Sequence, residues 1–241
     1  MPIRVGCCGW GFFRPREFYG VDWKGKYSST IQAYAKKFDL VEVNSTFYRI
    51  PKVETAERWL EEARAVNPDF EFTVKAFRGI THEEKFAGKS PRGFESIKKI
   101  CRALDSKILL FQTAASFGPT PENIRNMRSF FRRIRSGNLT LVWEPRGEWH
   151  RQPEKIKEMC NEFGLIECVD PLRNELAVKN ARLAYFRLHG FGKPMMYNYK
   201  FNEGELRRIK ARASAAKAKD TYVLFNNYHM YRNALEFVRL L

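Results

Sequence analysis

The chain has 241 residues, 44% hydrophobic and 29% charged, a balance that excludes a disordered or fibrous protein. It is long enough to bury most of its surface without disulfide or metal staples. Lys and Arg number 43 against 27 Asp and Glu, a net charge of +16; this points to polyanionic partners, with a merely solvated basic surface as the plainer alternative.

Short apolar, β-branched runs alternate with amphipathic stretches along the whole chain. The first run is Arg4–Cys8, followed by a helix candidate at Thr30–Phe38 that a Ser-Ser pair precedes and caps. The second run, Leu40–Asn44, leads to a helix over Thr55–Val66 with Ala56, Trp59, Leu60 and Ala63 on one face. The third, Phe70–Lys75, opens a long connection from Ala76 to Pro91, read as a loop over one end of the fold. The fourth, Lys107–Gln112, precedes a helix at Pro121–Arg135, and the fifth, Leu139–Glu144, one at Pro153–Phe163; both helices open on proline. The sixth and seventh runs, Leu165–Asp170 and Leu183–His189, are so close in sequence that the helix between them is expected to be degenerate. The eighth, Thr221–Asn227, is followed by a closing helix at Tyr231–Leu241.

Strands alternating with helices imply parallel βαβ units. Eight units in this length average about 30 residues each, the minimum for that motif. The chain is therefore expected to be one domain, residues 1–241, folded as a single (β/α)8 TIM-type barrel with a degenerate sixth helix. An open doubly wound sheet is disfavoured, because no Gly-rich phosphate fingerprint follows the first run. The five cysteines form no Cys-x-x-Cys pair, no signal peptide is visible at the start, and no apolar run spans a bilayer. A cytoplasmic protein with reduced thiols and no membrane contact is expected.

The ends of the runs carry the functional signal. Trp10, Glu42, Asn44, Lys75, Gln112, Glu144, Arg146, Asp170, Arg187, His189, Asn226 and Asn227 all lie where strands stop. In a barrel those ends converge on one mouth, where such folds place chemistry. Arg187 and His189 are two apart and so share a side, with Leu188 turned outward. A buried Arg187 requires an anion, either Glu144 or a bound phosphate.

The segments VEVNSTFYRIP (Val41–Pro51), FTVKAFRGITHEEK (Phe72–Lys85), FRLHG (Phe186–Gly190), YNY (Tyr197–Tyr199) and LFNN (Leu224–Asn227), with the opening GCCGWGF, resemble the domain of unknown function 72 family, also called YecE-like. ILLFQTAASF (Ile108–Phe117) is similar to its fourth-strand segment. The resemblance runs the length of the chain and implies a TIM-like barrel, but no settled activity. Two departures stand out. The family's Glu-x-Arg-His-x-Ser-Trp segment appears as Glu144-Pro145-Arg146-Gly147-Glu148-Trp149, one residue shorter and without the histidine, for which His150 is a substitute only if the loop folds back. Thr113-Ala114 stands in place of the usual Pro-Pro.

The expected catalytic residues are Glu42, Lys75, Glu144, Asp170 and His189, and the expected ligand-binding residues are Trp10, Asn44, Tyr48, His82, Gln112, Arg146, Arg187, Tyr197, Asn226 and Asn227. Carboxylates gathered in one mouth repel, so one of them should hold its proton unless a cation intervenes. Three readings remain open. Glu42, Glu144, Asp170 and His189 hold Mg²⁺ or Mn²⁺ for phosphoester hydrolysis, with DNA or RNA as substrate. The protein binds nucleic acid or a phospho-ligand without chemistry. Or the carboxylates act without metal on a sugar. Against all three stands a purely structural pairing with Lys75, Arg146 and Arg187.

Overall fold

All eight predicted runs are strands. They are β1 (Ile3–Cys7), β2 (Leu40–Val43), β3 (Glu71–Lys75), β4 (Ile108–Gln112), β5 (Thr140–Glu144), β6 (Ile166–Val169), β7 (Leu183–Leu188) and β8 (Asp220–Phe225). The structure, a computed structural model, describes residues 2–180 and 182–241. Each strand pairs in parallel with the next, and β8 returns to β1 with Val223 beside Val5 and Phe225 beside Cys7. The sheet is therefore a closed barrel, which removes every strand edge.

The helices are α1 (Pro15–Tyr19), α2 (Thr30–Ala35), α3 (Val53–Arg64), α4 (Ser90–Ala103), α5 (Pro121–Arg133), α6 (Pro153–Phe163), α7 (Glu203–Ala215) and α8 (Met230–Val238). Ser29 caps α2 by accepting from the Gln32 amide, and Thr120 caps α5 by accepting from the Asn123 amide. Three helices go beyond the predicted elements: the short α1, α4 and α7. In α4, Phe94, Ile97, Ile100 and Cys101 form one buried face behind Pro91. In α7, Asn202 and Glu205 form a capping box and Leu206, Ile209 and Ala213 face the barrel. The dense basic residues of α7 mask its short apolar stripe. Between β6 and β7 the described residues form turns and no helix, as the short connection predicts. Among the described residues no helix is long and apolar enough to cross a membrane.

Several arginines on the outer helices are paired. Arg128 of α5 reaches Glu162 of α6 at 2.8 Å, and Arg132 reaches the same carboxylate at 2.6 Å. Arg207 pairs with Glu203 at 2.6 Å and Arg212 with Glu175 at 2.7 Å. Exposed pairs of this kind add little stability, but they lower the positive charge offered to a partner.

The barrel interior alternates with the outer layer at a period of two. Leu188, Val223 and Phe225 pack outward on the helices, while Leu110, Val142, Cys168 and Leu224 fill the interior. The interior is also unusually polar. The Tyr185 and Tyr222 rings stack at 5.8 Å. Tyr185 donates to Glu42 Oε2 at 3.0 Å and lies 2.9 Å from Thr73 Oγ1. This column carries hydrogen bonding up to the mouth, so the Glu42 carboxylate is oriented from below as well as from the side.

Candidate functional site at the barrel mouth

Arg187 is completely buried and spans two carboxylates. Its Nη1 donates to Glu144 Oε2 at 2.5 Å and its Nη2 to Glu42 Oε1 at 2.8 Å. Gln112 Oε1 accepts from the same Nη1 at 3.2 Å. Burial works to raise the Glu144 pKa, but the charges of Arg146 and Arg187 prevail and hold it well below the usual carboxylate range. The expected repulsion is thus relieved by a guanidinium. Arg146, on the loop after β5, donates from Nε and Nη2 to Glu144 Oε1 at 2.9 and 2.7 Å.

His189 completes this side. Arg146 Nη2 lies 2.8 Å from His189 Nε2. A guanidinium only donates, so Nε2 accepts and the ring proton is on Nδ1, facing Asp170 Oδ2 at 3.6 Å. Asp170 also accepts from the His189 backbone amide at 3.0 Å and the Leu172 amide at 3.1 Å. Burial is the main cause that lowers the His189 pKa, with Arg187 and Arg146 adding to it against Glu144. The imidazole is therefore neutral at pH 7.

Lys75 lies across the mouth at the end of β3 and is 6% exposed. Its Nζ sits 4.0 Å from the centre of the Phe47 ring, yet it makes no hydrogen bond or ion pair with any described residue. Burial first, and the Arg187 charge second, bring its pKa down to about 7. Glu42 and Glu144 oppose that shift, and Arg146 reinforces it. The long third loop turns back here through a wide helical turn, Gly79–Glu83. It sets the His82 ring edge-on to Phe47 at 4.9 Å, with Nδ1 2.8 Å from Thr81 Oγ1. Burial and then the Lys75 charge lower the His82 pKa.

The other predicted residues divide. Asn44 is half-buried at the end of β2, and its Oδ1 has no partner among the described residues. Tyr197 lies 5.9 Å from the His189 ring. Asn226 is half-buried and its amide donates to Leu188 O. Three residues belong to packing or surface. Trp10 packs edge-on against Trp59 at 5.0 Å, between the barrel and α3. Asn227 donates to Tyr199 O and Asn233 Oδ1, tying loops to α8. Tyr48 is 66% exposed and touches Phe47.

The residues expected to hold a metal are engaged elsewhere in this structure. Glu42, Glu144, Asp170 and His189 do not face a common point, because Arg187 occupies the space between Glu42 and Glu144, and Asp170 is turned to backbone amides. Among the described residues no three His, Cys, Asp or Glu side chains are grouped to hold a metal ion. A guanidinium already supplies the positive charge that a divalent ion would bring. Conversely, Thr73, Tyr185 and Phe47 belong to the site's surroundings and were not predicted. Thr73 and Tyr185 were legible in principle, two residues before Lys75 and Arg187 on the same inward face.

The family profile "Protein of unknown function DUF72" matches residues 4–241. The chain belongs to the DUF72 family. It is 26% identical to the UPF0759 protein YunF of Bacillus subtilis, over 93% of this chain and 88% of that one. A solved DUF72 family protein from Thermotoga maritima superposes with a TM-score of 0.76 at 25% identity, covering 100% of this chain and 99% of the other. A D-psicose 3-epimerase solved with D-fructose shares the fold at a TM-score of 0.64 and 10% identity, covering 98% and 97%. Gly147 has φ +65°, and a Cβ there would meet Ala115 O at 2.2 Å. Gly147 therefore lies against Ala115, the residue that follows Thr113-Ala114. His150 sits in the short helical turn Gly147–Arg151 and forms none of the bonds among Glu144, Arg146 and His189.

Proposed function

We propose that the mouth is a metal-independent acid–base site for a small polar molecule of the sugar or hydroxy-carbonyl class, with Lys75 as its proton carrier. The observation that carries this reading is the contrast in pairing: Arg146 and Arg187 are held by carboxylates, while Lys75 is nearly buried, has no described partner and has a pKa of about 7. A group poised near the working pH is the most effective proton carrier. Asn44 Oδ1 offers an acceptor to a substrate hydroxyl, and neutral His189 and His82 offer further exchange sites.

The phosphoester and nucleic-acid readings fit less well. Both terminal nitrogens of Arg187 are already engaged by carboxylates, and several outer arginines are paired. An anionic group on the small molecule is compatible with Lys75, because a bound anion would keep the ammonium form. The test is competitive acetylation of the whole protein across a range of about pH 5 to 11, read by peptide mass spectrometry. A midpoint near 7 at Lys75 supports the reading, and one near 10, as for surface lysines, overturns it. A thermal-shift screen of ketoses, aldoses and hydroxy acids in EDTA then tests the substrate class, with binding lost in Lys75→Met.

A further inference from the structure

We propose that Lys75 acts as a nucleophile and forms a Schiff base with the carbonyl carbon of a small aldehyde or ketone bound in the mouth. This deepens the acid–base reading and rests on it. The amine is at the tip of a barrel strand, so its stem is fixed by the sheet. The residue is 6% exposed, and the Phe47 ring covers one side of the amine. Burial beside Arg187 favours the neutral form, which alone carries the lone pair a nucleophile needs. An amine kept only for binding an anion gains nothing from losing its charge.

The step balances without an oxidant or a metal. The nitrogen lone pair attacks the carbonyl carbon, a C–N bond forms, and the carbonyl π electrons move to oxygen, which takes a proton. The nitrogen loses a proton, giving a neutral carbinolamine. A second proton then reaches the hydroxyl oxygen, the C–O bond breaks, and water leaves. What remains is a protonated imine that carries one positive charge. Glu42 and Glu144, which already favour a positive charge on Lys75, stabilise it. The Phe47 face stabilises it as it stabilises an ammonium. His82, packed edge-on against the same Phe47 ring from the loop that follows β3, is suited to relaying the two protons. Hydrolysis reverses every bond change and regenerates the amine.

The mouth also explains which carbonyl compounds fit. Asn44 Oδ1 has no donor among the described residues, whereas the oxygens of Glu42, Glu144 and Gln112 already accept from Tyr185, Arg146 and Arg187. A hydroxylated chain supplies a donor to Asn44, whereas a purely apolar ketone leaves it unpaired and binds more weakly. Short hydroxy-aldehydes and hydroxy-ketones are therefore the substrate class.

The experiment is reductive trapping with the full chain. Dihydroxyacetone, D-glyceraldehyde, D-fructose and acetone are each incubated at about pH 7 with sodium cyanoborohydride, and adducts are mapped by peptide mass spectrometry. The expected result is one adduct, of mass equal to the probe less one oxygen, at Lys75. It should form at least about tenfold faster than at surface lysines, which hold about a thousandth as much neutral amine at this pH. Acetone should trap poorly beside dihydroxyacetone, and Lys75→Arg should abolish the adduct while keeping a positive charge. Labelling spread over surface lysines with no preference for Lys75 overturns the Schiff base. The acetylation midpoint separates the two ideas. If it stays near 7 while trapping fails, the proton-carrier reading stands and the nucleophile does not; if it lies near 10, both fall. Trapping and acetylation are read on the unaltered protein, so a variant that misfolds changes neither result.

Discussion

Arg187 and Lys75 are both nearly or wholly buried cations at the ends of barrel strands, on opposite sides of one mouth. Around Arg187 every charge has a partner: Glu42, Glu144, Arg146, His189 and Asp170 form one connected set. Around Lys75 there is an aromatic ring and no bonded carboxylate among the described residues. The first region is like the inside of any folded protein, where buried charge is paired. The second keeps a polar group in an environment that does not satisfy it. Such local dissatisfaction is costly and is found where a ligand completes the site. On the function proposed above, the paired cluster is the scaffold, and Lys75, unpaired among the described residues, is the reactive group.

Removing the central guanidinium should produce the largest effect. Arg187→Met leaves Glu42 and Glu144 buried without their shared counter-charge, and the expected loss is about 3–5 kcal/mol. That corresponds to a fall in melting temperature of roughly 6–20 °C for a chain of this size. A thermal melt of the variant within a degree of the parent would erase the distinction between the two regions.

A backbone test of the paired side comes next. Gly147 holds Arg146 against Glu144 from a left-handed conformation, with Ala115 O in the way of any Cβ. Gly147→His restores the residue type of the family pattern, but both strain and clash oppose it. We expect about 1–3 kcal/mol of destabilisation, measured by urea unfolding. Lengthening the loop by one residue together with Gly147→His should recover part of it.

Lys75→Met should act in the opposite direction. The folded-state pKa of Lys75, about 7, is below that of the unfolded chain. Between that value and about 10.4 the unfolded chain binds more protons, so stability rises with pH across this window, and below it the full cost of burying the ammonium remains. The methionine variant lacks that cost. It should melt a few degrees higher than the parent at about pH 6, and the gap should close as pH rises through about 7 to 10. A gap independent of pH would show that Lys75 is charged throughout.

Glu144→Gln probes the paired side through its pH dependence. The Glu144 pKa is depressed, so its contribution is present above the usual carboxylate range and is lost as pH falls through the folded-state value. The parent should exceed the variant by about 1–3 kcal/mol at about pH 7, because a charge-assisted pair is replaced by a neutral one. The two should converge in strong acid, as followed by denaturant melts across pH.

Much of this architecture is legible in the residues alone. LVEV, ILLF and LAYFRL read as buried parallel strands because such strands are apolar on both faces, with charge only where they end. The polar tips of those runs mark the mouth, because the fold places all eight tips together. The helices α4 and α7 escape the pattern where basic residues or a preceding loop obscure a short apolar stripe. Trp10 and Asn227 fall outside the mouth because a residue just past a strand end can turn either toward it or back onto the helices.

What is readable in this way is local stereochemistry. A two-residue period, proline and serine at helix starts, and turn residues between runs are properties of neighbours along the chain, and they suffice for a barrel and its mouth. Pairing inside the mouth is not such a property. Arg187 lies 145 residues from Glu42 and 43 from Glu144, and the sequence offers Lys75, Arg146 and Arg187 as equivalent partners for the same carboxylates. Closing the ring decides between them. The guanidinium of Arg187 reaches both acids from the barrel interior, Arg146 covers Glu144 from the loop after β5, and Lys75, on the far strand, is left against Phe47. Which cation stays unpaired follows from the three-dimensional placement of strand ends, because charge interactions depend on distance and burial and not on order along the chain.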